Sequence, residues 1–208
     1  YVWKEIKDYY FTGSLFKLFR KIGNTGGEIR MKILLISTCR EKLSEYEFVY
    51  PIAEILKSFE YDIVNYKDLG NSLALNYDKI IICGTSLQDN DYLNYLDNFK
   101  KLKDLNKPIL GICSGFQIVC SMFNEKIIEQ EEIGMVSVST IQSNPLVSGD
   151  FQAYNMHNLS VIDLISFNVL AKSDKTVQLV SHKKQNIFGV SFHPEVRNEQ
   201  IITNFLLV

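Results

Sequence analysis

Pro108-Ile109-Leu110-Gly111-Ile112-Cys113-Ser114-Gly115-Phe116-Gln117 decides how the rest of the chain is read. Pro108 to Ile112 has the continuous apolar character of a strand buried on both faces, and Ser114 to Phe123 has helical spacing. Gly111-Ile112-Cys113-Ser114-Gly115 is therefore a tight strand-to-helix turn, the nucleophile-elbow pattern with cysteine in place of serine. Such a turn lifts Cys113 above the sheet at a helix N-terminus, where the dipole favours thiolate. The backbone N–H of Ser114 then points to where an oxyanion would form.

The same alternation continues on either side. Met31 to Ser37 reads as a buried strand, Phe48 to Phe59 as a helix with Pro51 in its first turn, and Asp62 to Tyr66 and Lys79 to Cys83 as further strands. Tyr92 to Leu105 is predicted helical, with Leu93, Leu96, Phe99 and Leu102 on one stripe. Beyond the elbow the texture becomes β-rich, at Met135 to Ile141, Val169 to Lys172, Thr176 to Ser181 and Ile187 to Phe192, and a helix closes the chain from about Glu199 to Phe205. The expectation is an α/β domain of three layers. Its central sheet is mostly parallel, with helices on both faces and added strands in the second half.

A cysteine nucleophile needs a base. Of His157, His182 and His193, only His193 sits in a compact constellation, Gly189-Val190-Ser191-Phe192-His193-Pro194-Glu195. A strand ending there leaves the imidazole at the carboxyl edge of the sheet, where open α/β sheets bind ligands. Glu195 is placed to orient the ring and select its tautomer, giving a Cys113, His193 and Glu195 set of nucleophile, base and orienter. His157 reads as a surface or partner-facing residue near the site and His182 as a solvated turn residue. Cys39, Cys83 and Cys120 read as small apolar fillers.

Composition bounds the rest. With 208 residues, 46% hydrophobic and 22% charged, the chain is long enough for one sizeable core. A net charge of −2 offers no footprint for nucleic acid, and no apolar run approaches the ~20 residues of a membrane span. Four cysteines without a dense framework suit reduced thiols in a cytoplasmic protein. No cluster has metal-ligand spacing, and Gly23 to Gly27 lacks the Lys-Ser/Thr ending of a phosphate loop, so neither metal nor cofactor is expected.

The stretch from Pro108 to Gln117 and that from Gly189 to Glu195, about 80 residues apart, resemble the two signatures of class I glutamine amidotransferases. The resemblance covers Met31 to Val208 and implies that family's flavodoxin-like fold. It implies that Cys113 attacks the carboxamide of L-glutamine and that His193 protonates the leaving amine, then activates water. It also implies that Gln117 helps bind the substrate. Within the family, Asn168 to Lys183 followed by Ile187 to Val190 is similar to the tail of the free-standing amidotransferase subunit of GMP synthase. The implied partner is an ATP-dependent synthetase on another chain.

Three positions depart from the family pattern. Cys83-Gly84-Thr85-Ser86 stands where Gly-Gly-Pro is usual, making Gly84 and Thr85 the candidates for the second oxyanion donor. Phe116 replaces a common histidine. Asn155-Met156-His157-Asn158-Leu159 occupies the place of Ser-His-x-Asp, so an aspartate used near the partner is missing, and Asn158 is taken as a substrate-binding position. Two alternatives stay open: a stand-alone γ-glutamyl hydrolase or cysteine peptidase with the same triad, and a silent regulatory protein that only binds glutamine.

Residues 1–30 stand apart from residues 31–208, the amidotransferase-like domain. They carry a net +3 against −5 for the remainder and seven aromatics, including Trp3, Tyr9, Phe16 and Phe19. One expectation is an aromatic docking arm. The other is that Met31 is the natural start, since Gly26-Gly27-Glu28 can be encoded by a purine-rich ribosome-binding sequence. The intact mass of native protein separates them.

Overall fold

The structure is a computed structural model and describes residues 31–70 and 73–208; both readings of residues 1–30 lie outside the described residues. Among the described residues, nine strands form one sheet: β1 (Lys32–Ser37), β2 (Glu60–Asn65), β3 (Lys79–Ile82), β4 (Ile109–Ile112), β5 (Lys126–Thr140), β6 (Phe151–Ile162), β7 (Phe167–Lys172), β8 (Val177–His182) and β9 (Ile187–Val190). Their order is β2-β1-β3-β4-β9-β8-β7-β5-β6. Strands β2, β1, β3, β4 and β9 are parallel, and the pairs from β9 to β6 are antiparallel. The added strands of the second half thus extend a parallel sheet, and β9 is the seam.

Apolar runs such as Ile33-Leu34-Leu35-Ile36 are fully buried because layers cover both faces. Ile33 and Leu35 pack with Phe48, Ile52 and Leu56, from the region of α1 (Glu45–Phe48) and α2 (Tyr50–Ile55), and with Ile201 and Phe205 of α5 (Gln200–Phe205). Leu34 and Ile36 pack on the other face with Phe99 of α3 (Leu96–Phe99), with Leu102, and with Ile118 and Val119 of α4 (Ser114–Ser121).

Four elements differ from expectation; one is β5, which begins at Lys126, nine residues before the strand expected from Met135. The helix expected to Phe59 ends at Ile55, and β2 already begins at Glu60. The helix expected over Tyr92 to Leu105 is a 3₁₀ turn (Asp91–Tyr95), then α3, then a second 3₁₀ segment (Lys100–Leu105) closed by Asn106 at φ 51°. Its apolar stripe recurs every third residue, the period that eclipses side chains in a 3₁₀ helix rather than an α-helix. Finally, β6 escaped the pattern altogether. Its inward positions include Asn155 and His157 beside Ala153, so a fully buried face carries no apolar alternation.

Candidate active site

Parallel pairing of β4 and β9 sets Ile112 beside Val190, and the N–H of Cys113 donates to the Val190 carbonyl at 2.8 Å. Both strands end at one edge, with Cys113 just beyond the first and His193 just beyond the second. Cys113 adopts φ 53°, ψ −107°, a conformation that strains a residue with a Cβ. The flanking glycines are sterically required. A Cβ at Gly111 would lie 2.2 Å from the Gly115 carbonyl oxygen, and one at Gly115 would lie 2.1 Å from the Ile82 carbonyl oxygen.

His193 and Glu195 are buried, and His193 Nδ1 sits 2.8 Å from Glu195 Oε1. A carboxylate at that nitrogen makes Nδ1 the donor and leaves Nε2 for chemistry. Nε2 makes no well-formed hydrogen bond among the described residues. Burial alone would lower the His193 pKa, yet negative charge at Cys113 and Glu195 holds it well above the ordinary histidine value. A Cβ at Gly84 would come within 2.9 Å of His193 Cε1 and 3.3 Å of Cys113 Cβ, so these three residues meet at one point.

The other expected residues gather around them. Ser114 Oγ lies 2.7 Å from Thr38 Oγ1, which donates to the Cys83 carbonyl at 2.9 Å, tying the elbow to the ends of β1 and β3. Thr85 is buried and its hydroxyl donates to Asp89 Oδ2 at 2.7 Å; the same oxygen accepts from the Arg40 N–H at 2.7 Å. The loop is thereby pinned although it has no proline. Gln117 is committed at both ends, donating from Nε2 to the Leu159 carbonyl at 3.0 Å and accepting from the Tyr92 hydroxyl. The Cys113 thiol is directed at the Met156 carbonyl, 3.7 Å away.

Thr85, Tyr92, Cys113, Gln117, His157 and Asn158 line a pocket of only about 10 Å³, room for roughly one water. Tyr92, Asp89 and the carbonyls of Met156 and Leu159 had no signal in the sequence. They come from the loop after β3, from the 3₁₀ turn that follows it and from the strand that the pattern concealed.

Two histidine expectations are corrected. His157 is neither surface nor partner-facing: it is 2% exposed, with Nε2 4.0 Å from Glu132 Oε2. Burial lowers its pKa, with Glu132 acting in the opposite direction. His182 is half-buried rather than fully solvated. It stacks on Phe123 with ring centroids 4.1 Å apart, and its Nδ1 accepts from the N–H groups of Lys184 and Gln185. It closes antiparallel β8, at the sheet edge opposite the site. Cys39, Cys83 and Cys120 are fully buried, as expected of apolar fillers, and burial raises all three pKa values, that of Cys39 to about 11.

Comparison with known proteins agrees with this architecture. The sequence model described as glutamine amidotransferase class-I matches residues 43–207. The glutamine-hydrolyzing GMP synthase subunit of Thermoplasma acidophilum is 30% identical over 67% of this chain and 76% of its own length. That of Methanosphaera stadtmanae is 34% identical over 49% of this chain, a match spanning about three-fifths (61%) of the relative. Homoserine O-acetyltransferase 2 of Ilyobacter polytropus is 31% identical over 76% of this chain and 60% of its own length. Among solved structures, a candidate GMP synthase subunit from Thermoplasma acidophilum superposes with a TM-score of 0.78 at 25% identity, covering 86% of this chain and 94% of that one. Since the family match takes in both the elbow and the His-Pro-Glu strand end, the chain belongs to the class-I glutamine amidotransferase family.

Proposed function

We propose that the chain hydrolyses the side-chain amide of L-glutamine through a thioester on Cys113 and supplies the ammonia to an ATP-dependent synthetase of the GMP synthase type. The observation that carries this reading is the His193 Nδ1–Glu195 contact, which leaves Nε2 available beside Cys113. The thiol proton passes to His193, and the thiolate attacks the amide carbon. The resulting oxyanion is met by the N–H of Ser114 and by the Gly84–Thr85 loop. His193 then returns its proton to the leaving nitrogen, releasing ammonia and the thioester. Water, deprotonated by His193 Nε2, cleaves the thioester to glutamate, and the proton goes from His193 to the departing Cys113 sulfur. As it stands the pocket is closed to a glutamine side chain, so binding displaces part of its lining.

Ammonia release from L-glutamine by the purified chain, with Cys113→Ala alongside, tests the proposal. Release that vanishes in the variant is the expected result; release that persists would sink the assignment of Cys113. The Ilyobacter relative supports a second reading, in which an acyl group leaves Cys113 for an alcohol rather than water. An acetyl thioester with homoserine as acceptor tests it, product appearing only with intact Cys113. Hydrolysis of γ-glutamyl peptides in place of glutamine would mark a stand-alone γ-glutamyl hydrolase, and glutamine binding without turnover a silent regulatory protein.

A further inference from the structure

We infer that Glu132 is a positioning residue for this site: through Asn155 and His157 it sets the stretch of β6 that overlies Cys113 and Gln117. The inference rests on the glutamine-hydrolysing reading and adds a residue that lies outside the pocket lining.

That stretch touches the candidate machinery three times through its backbone. The Tyr154 carbonyl accepts from the His193 N–H at 2.9 Å, the Met156 carbonyl from the Cys113 thiol, and the Leu159 carbonyl from Gln117 Nε2. Asn155 and His157 alternate with Tyr154 and Met156, and both side chains are buried. The β5–β6 ladder is unbroken from Glu132–His157 to Val138–Phe151, but it ties this stretch of β6 to β5 alone. Strand β5 pairs with β7 only at Ser139 and Thr140, and the β5–β6 register shifts between Glu129 and Glu132.

What holds this part of the hairpin is a buried polar cluster centred on one carboxylate. Glu132 Oε2 accepts from Thr176 Oγ1 at 2.6 Å, Gln178 Nε2 at 2.7 Å and Asn155 Nδ2 at 3.2 Å, while Oε1 accepts from Ser173 Oγ at 2.9 Å. His157 lies directly opposite Glu132 in the ladder, and its two ring nitrogens have no hydrogen-bond partner among the described residues. Directly opposed residues on one face of an antiparallel pair interact most strongly, so moving the carboxylate moves the histidine. A half-satisfied buried network is worse than none, so turning one accepting oxygen of Glu132 into an amide NH2 disturbs the whole cluster.

The experiment compares Glu132→Gln with the native sequence by glutamine kinetics, by amide exchange of residues 154–159 and by iodoacetamide alkylation of Cys113. The expected result is a KM for glutamine raised at least ~10-fold with kcat held within ~3-fold, since the pocket wall shifts while the reacting groups stay. Exchange over 154–159 should accelerate ~10-fold, and alkylation should keep its native rate. An unchanged KM with unchanged exchange overturns the inference; so does a fall in kcat at fixed KM, or slowed alkylation, because Glu132 would then act on the nucleophile itself. If Glu132→Gln fails to fold, Ser173→Ala removes a single donor and should still raise KM, an unchanged value again overturning the inference. A native chain that releases no ammonia sinks the glutamine reading alone, and the exchange measurement then decides the role of Glu132.

Discussion

The N–H of Cys113 and the carbonyl of Val190 are joined at 2.8 Å, although 77 positions separate the two residues. This single bond ties the elbow to the strand that ends three residues before His193. Any change that separates β4 from β9 therefore separates Cys113 from His193, the proposed nucleophile and base. Gly84 is the neighbour that faces both residues. Gly84→Ala puts a methyl group 2.9 Å from His193 Cε1, and that ring is clamped by Glu195. A displacement below 1 Å is enough to lower kcat about 100-fold. Ammonia release by Gly84→Ala at saturating glutamine measures it; an activity within threefold of native would show that the ring yields freely.

Cys113 should reverse the usual order of alanine and glycine. At φ 53°, ψ −107° a Cβ is strained, at a cost on the order of 1–3 kcal/mol. Both Cys113→Ala and Cys113→Gly should be inactive, yet the glycine variant should be the more stable by about 1 kcal/mol despite glycine's greater backbone entropy. Urea denaturation of the pair decides the sign.

Stability should also depend on pH through His193. Folding raises its pKa well above the ordinary value. A group shifted upward contributes stability that is fully present below the unfolded pKa, about 6.5, and is lost as pH rises through the folded value. Denaturation midpoints should therefore fall as pH climbs above about 6.5, and Glu195→Gln, which removes one of the two negative charges, should flatten the decline. A slope identical in both proteins would place the titration elsewhere.

Thiol labelling offers a simpler check. Cys39, Cys83 and Cys120 are fully buried and burial raises the pKa of each. Iodoacetamide at pH 7 should modify the native protein at Cys113 alone, and Cys113→Ala should take up no label until it unfolds. Peptide mass mapping gives the site directly, and early label on Cys39 would contradict the packing described.

Much of this was legible from residue order, and the reasons differ by element. Gly111-Ile112-Cys113-Ser114-Gly115 announces its turn because each glycine excludes a Cβ that the fold cannot hold, and His193-Pro194-Glu195 announces itself because base and orienter are two residues apart. The Tyr92 to Leu105 segment had the right stripe but the wrong period, since residues at 93, 96, 99 and 102 suit a helix of three residues per turn. Strand β6 was invisible because its inward face holds Asn155 and His157 rather than Val or Ile. Polar residues whose partners lie on other strands, as those of Asn155 Nδ2 do at Glu132 and Gln178, leave no local periodicity to read.

The position of β9 also bears on how the molecule is made. Its four residues, Ile187–Val190, belong to the last tenth or so of the chain, yet they occupy the centre of the sheet between β4 and β8. During synthesis from the N-terminus the parallel half ends at β4 with an open edge and the antiparallel half at β8 with another, and neither can close until the final strand emerges. Contacts this distant in sequence slow folding, and unpaired edges invite association with other chains. Chains stopped short of Ile187 should therefore aggregate rather than persist as a smaller domain. The proposed catalytic pairing arrives in the same step that seals the sheet, so no partly folded chain holds His193 against Cys113.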